Sequence, residues 1–167
     1  MTTEAFHKKC DNKGPTLVLI KNDKGHIFSG YSSASWENST TWDYKHAQGS
    51  FIFTLTNMYS ISPTKFYLKN EEDGKAICCS NKCGSIFGSG SFGWSNDILV
   101  NFSSERSGFP CTYNDTTGKG SSIFSSDQSS GNFTLSEIEV YSVTFSVKNS
   151  GKRLLKKKKS RRRLLLQ

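Results

Sequence analysis

Taken alone, the chain reads as a mainly β protein: an antiparallel two-sheet β-sandwich of one domain with one or two short flanking helices. Three observations carry that reading. Short apolar runs recur along the 167 residues with turn signals between them, which is the pattern of a sandwich and not of a helical bundle. The composition is rich in Ser, Thr, Asn and Gly, with 12 Phe, 6 Tyr and 3 Trp as large core pieces, a bias toward strands and turns. Finally, Phe133–Val147 (FTLSEIEVYSVTFSV) is the longest continuous β-pattern in the chain.

The elements follow in order. Residues 4–10 form a short helix with Thr3 as its N-cap, broken by Gly14-Pro15. Leu17 to Ile20 is apolar at every position, the mark of a strand covered on both faces. Asn22-Asp23-Lys24-Gly25 supplies a turn, and His26 to Tyr31 returns antiparallel. Ser32 to Ser50 is polar and loop-like, punctuated by Trp36 and Trp42. In Phe51–Thr56 the alternation places Phe51, Phe53 and Leu55 on one face, Thr54 and Thr56 on the other. Ser62-Pro63 precedes a strand at Lys65–Leu68, and the acidic turn Glu71–Gly74 precedes Ala76–Cys79. Asn81–Gly93 reads as glycine-rich loop, Asp97–Phe102 as strand, and residues 103–131 as one long loop.

Charge divides the chain in two. The net charge is +8, yet residues 152–163 hold nine of the 22 Lys and Arg and no acid. The remainder carries 13 basic against 14 acidic side chains, so its surface gives no sign of a nucleic-acid-binding fold, which spreads its basic residues over a folded face. The expected organisation is a domain over residues 4–147 and a basic, solvated tail over 148–167. That tail (KRLLKKKKSRRRLLLQ from Lys152) suits a nuclear-import signal, a nucleic-acid arm or a polybasic contact with anionic membrane.

Five cysteines, an odd number, do not suggest a disulfide framework, and the opening MTTEAFHKKC has no apolar signal-peptide region. No run approaches the roughly 20 apolar residues of a membrane-spanning helix. The expectation is a monomeric cytoplasmic protein with reduced thiols. The sequons at Asn38, Asn101, Asn114 and Asn132 are then unused.

Cys78, Cys79 and Cys83 are the candidate chemistry. They make one zinc knuckle where a closed site wants two, so buried or free thiols are the plainer reading; redox sensing would need an accessible thiolate of low pKa. Glu137 and Glu139 lie at i and i+2, with Cα atoms ~7 Å apart on one strand face. That spacing suits paired-carboxylate catalysis, but equally the outward face of a strand whose Ile138 and Val140 point inward. His7, His26 and His46 are too scattered for a triad, and Gly84–Gly93 lacks the Gly-Lys-Ser/Thr of a phosphate loop. No residue set demands a cofactor or a metal.

Five blocks also resemble a known family. Phe6-His7-Lys8-Lys9-Cys10 with Thr16–Trp36 resembles the opening of a TLDc domain, the module of the eukaryotic oxidation-resistance proteins. Phe51–Asn57 (FIFTLTN), Lys65–Leu68 (KFYL), Ala76-Ile77-Cys78 with Gly84, Phe87, Gly88 and Gly90, and Phe133–Tyr141 (FTLSEIEVY) match its later blocks in order. The similarity covers roughly residues 5–145. Two departures stand out: only five residues precede Phe6, and a family His-Asp pair is replaced within Ser91–Asp97. The resemblance implies a non-enzymatic module, without cofactor, that binds the vacuolar-type proton-pumping ATPase and is linked to resistance against oxidative stress. Chemistry then nominates Trp36, Trp42, Glu137 and Glu139 as partner-binding residues, since aromatic anchors dominate many interfaces.

Overall fold

The computed structural model describes residues 2–71, 74–89, 95–128 and 130–145, together with the backbone of residues 163–164. The chain opens with α1 (Thr3–Cys10), followed by β1 (Thr16–Asn22), β2 (Ile27–Ser32), β3 (Asp43–Lys45), β4 (Phe51–Thr56) and β5 (Thr64–Tyr67). Then come β6 (Ile77–Cys79), β7 (Ile86–Phe87), β8 (Ile98–Leu99), β9 (Glu105–Arg106), a 3-10 turn (Gly120–Ile123), β10 (Asn132–Phe133), β11 (Leu135–Ser142) and β12 (Arg163–Leu164). They build two six-stranded antiparallel sheets, ordered β12-β11-β1-β2-β4-β5 and β10-β9-β8-β7-β6-β3. The mainly β, two-sheet expectation holds, with one α-helix among the described residues.

Local chemistry sets the elements. The cap of α1 is Thr2 and not Thr3: the Thr2 hydroxyl accepts from the Ala5 N–H at 3.2 Å, and Thr3 is the first helical residue. The β1–β2 turn closes because the Asn22 side-chain oxygen accepts from the N–H groups of Lys24 (3.0 Å) and His26 (2.9 Å). Gly25 supplies the positive φ of 80° that this turn needs.

The core lies between the sheets. Phe28 of β2 meets Phe124 and Phe133, and Phe66 of β5 meets Phe109 and Phe124. At the other side Trp36 packs edge-on against Phe6 and Phe87. Gly30 is required here: a Cβ at this position would stand 2.6 Å from the Phe87 ring.

Five sequence expectations are corrected. β1 is covered on one face only, with Val18 and Ile20 fully buried and Leu17 and Leu19 half-buried on the other side. The polar stretch 32–50 contains β3, which pairs with β6 from Asp43↔Cys79 to Lys45↔Ile77. The glycine-rich stretch contains β7, while the strand expected over Asp97–Phe102 shrinks to β8, since Phe102 turns at a φ of 66°. Residues 103–131 are tied to the core by Phe109, Tyr113, Ile123 and Phe124, all at most 3% exposed, and the Tyr113 hydroxyl donates to the Ala76 carbonyl at 2.7 Å. Residues 72–73 of the acidic turn, 90–94 of the glycine block, and 146–162 and 165–167 of the tail lie outside the described residues. Arg163 and Leu164 pair antiparallel with Tyr141 and Val140.

Candidate protein-interaction surface

The nominated residues fall in different places. Trp36 is corrected from surface anchor to core: it is 1% exposed, and its indole N–H donates to the Thr16 hydroxyl at 2.9 Å. Trp42, just before β3, is 40% exposed. Glu137 and Glu139 stand on the outer face of β11, with Ile138 and Val140 buried beneath them. Glu137 takes an ion pair from Lys21 at 2.8 Å, an exposed pair that contributes little to stability. The Tyr141 hydroxyl donates to Glu139. Trp42 therefore precedes a strand of the second sheet while the glutamates stand on the first, and they do not form one cluster.

The three nominated cysteines are buried. Cys78 and Cys83 pack with Ile86 and Leu99 in a small apolar cluster, whereas Cys79 belongs to the main core. Burial pushes the Cys78 thiol up to about 12 and raises Cys79 and Cys83 as well. A reactive cysteine needs the reverse, so this setting weighs against redox sensing by these thiols. Among the described residues no group of three or more His, Cys, Asp or Glu gathers at metal-binding distances.

A shallow cleft of about 390 Å³ lies beside α1, lined by Glu4, His7, Lys8, Asp11, Asn38 and Asn81. Its histidine is already committed. His7 Nδ1 meets Asp11 at 2.9 Å, and Nε2 meets the carbonyls of Ser80 (3.0 Å) and Cys83 (2.9 Å). Because both Nε2 partners are acceptors, Nε2 must carry a proton. The ring works as a staple between α1 and the β6–β7 connection.

The outer face of the first sheet carries a further surface that was not singled out from the sequence. On β4 the inward face carries Ile52 and Thr54, both 0% exposed, and the alternation places Phe51, Phe53 and Leu55 on the other face, where Phe53 is itself buried at 5% exposure and Leu55 is exposed. Register then aligns five outer side chains across five strands. Tyr141 of β11 lies opposite Leu17 of β1, Leu17 opposite Tyr31 of β2, Tyr31 opposite Phe51, and Phe51 opposite Tyr67 of β5. The Tyr31 and Phe51 rings stack at 5.3 Å, Tyr67 lies 6.2 Å from Phe51, and Lys65 places its ammonium 4.2 Å from the Phe51 centroid. Tyr67 is 56% exposed and Leu55 39%. Charged groups share this face: Lys65 beside Phe51 at the β5 side, and the Glu137–Lys21 pair four residues along β11 and β1 from Tyr141 and Leu17.

Comparison with known proteins places this architecture. The model of the TLDc domain matches residues 1–144. The chain belongs to the TLDc domain family. The motif resemblance over residues 5–145 is thereby borne out, and this TLDc domain takes in both sheets from α1 to β11. A stretch of 28 residues is also 57% identical to the MTOR-associated protein MEAK7 of Danio rerio. That stretch spans 17% of this TLDc chain and 6% of the zebrafish protein. No helix among the described residues is long and apolar enough to cross a membrane.

Proposed function

We propose that this TLDc chain is a non-enzymatic cytoplasmic protein-interaction module, that its partners include subunits of the vacuolar-type proton-pumping ATPase, and that it contributes to resistance against oxidative stress. The observation that carries the interaction reading is the aromatic row Tyr141–Leu17–Tyr31–Phe51–Tyr67 on the outer face of the first sheet. Its rigid Tyr and Phe side chains lose little conformational entropy on docking, and rings of this kind dominate binding energy at many interfaces. The charged groups on the same face supply orientation. A proton-pump subunit as the occupant follows from the resemblance to family members that bind that pump. The zebrafish relative, named for its association with MTOR, gives further support for a protein partner.

Affinity capture of the full chain from a lysate of its own organism tests the reading. Recovery of proton-pump subunits by the wild type, and their loss with Leu55→Asp/Tyr67→Ala, is the expected result. Capture that never recovers those subunits contradicts the partner. Capture that the double substitution leaves intact contradicts the surface.

A further inference from the structure

In the first sheet β11 lies between β1 on one side and the two-residue β12 on the other. Val143 donates its N–H to the Pro15 carbonyl at 2.8 Å, on the β1 side. Backbone groups alternate sides along a strand, so those of Tyr141 and Glu139 also face β1. The N–H and C=O of Val140 then face the opposite edge. There Val140 lies opposite Leu164 and Tyr141 opposite Arg163, in antiparallel register. Among the described residues, β12 covers this side of the eight-residue β11 only at those two positions.

We infer that the edge of β11 is a strand-addition site occupied in cis by the chain's own C-terminal segment, which is a built-in competitor for any extended peptide of Arg–Leu type that would pair there. A strand edge presents a row of donors and acceptors that will template another chain unless covered. Main-chain pairing supplies the affinity in such additions and alternate side chains the selectivity. Two paired residues alone are marginal. Tethering through residues 146–162 changes this, because an intramolecular strand meets its edge at an effective concentration in the millimolar range. The segment therefore holds the edge against free peptides yet remains displaceable.

Amide hydrogen exchange on the full chain, wild type and Leu164→Pro, tests this. Proline at 164 removes the N–H that faces Val140, and it sits outside the domain core. The Val140 amide should exchange about tenfold faster in the variant, while Tyr141 and Val18 stay unchanged and report an intact sheet. A synthetic peptide of residues 158–167, added in trans, should restore slow exchange at Val140 in Leu164→Pro and have no effect on the wild type. Equal Val140 exchange in both proteins overturns the inference. So does protection by a scrambled peptide of the same composition, which would make the contact one of charge alone. Val140 protection that grows with wild-type concentration also overturns it, since the occupant would be the tail of a second copy.

Discussion

Asp97 is where burial and charge conflict most sharply. Its carboxylate is 0% exposed and accepts from the N–H groups of Cys111 at 2.7 Å and Thr112 at 2.8 Å. Burial outweighs those bonds and lifts its pKa from 3.8 to about 6. The folded state thus holds this proton more tightly than the unfolded chain. Stability from Asp97 falls as pH rises from about 4 to about 6 and is flat above, by roughly 2–3 kcal/mol. Asp97→Asn should flatten that limb in urea unfolding between pH 4 and 7. It should also lower stability throughout, because its amide turns a donor toward a backbone N–H. Packing is as exacting at Gly30: Gly30→Ala drives a methyl into Phe87 and should cost about 1–3 kcal/mol in the same assay. Trp36→Ala, which empties the space between Phe6 and Phe87, should cost about 3–5 kcal/mol.

At the level of the element, β4 decides how the domain meets its surroundings. Ile52→Ala should lower stability by about 2–5 kcal/mol. Leu55→Ala, at a position 39% exposed, should change it by about 0.5 kcal/mol or less. Equal losses would mean that β4 presents the other face to the core. The alternation in FIFTLT was legible in the sequence, but which face turns inward was not. That choice rests on Ile52 packing in the core and on Thr54, whose hydroxyl accepts from the Asn57 amide at 3.3 Å. A buried threonine whose partner is an asparagine three residues on looks like a surface residue in one dimension. β1 misled for the related reason that Leu17 and Leu19 are apolar but lie on the outer sheet face, beside Tyr141 and Tyr31. The hairpin Thr16–Ser32 and the closing strand were legible because turn chemistry and strict alternation coincide there. β3 and β9 were not, because two or three polar residues acquire strand geometry only from the neighbour they pair with.

On the scale of the whole molecule, the two sheets separate roles. Their inner faces hold the aromatic core together with Cys10 and Cys79, and Cys78 and Cys83 pack in the smaller apolar cluster. All five thiols are shifted upward by burial. A thiol-reactive disulfide reagent at neutral pH should therefore modify the native chain slowly and the urea-unfolded chain fast. Rapid native labelling of Cys78, Cys79 or Cys83 would revive a redox role. The outer face of the first sheet carries the aromatic row on which the proposed function rests. The most direct test is the dissociation constant of the captured proton-pump subunit for wild type and for Leu55→Asp/Tyr67→Ala, measured with the unfolding midpoint of each protein. Affinity at least about tenfold weaker at a nearly unchanged midpoint is the expected result. Unaltered affinity at an unchanged midpoint would contradict it.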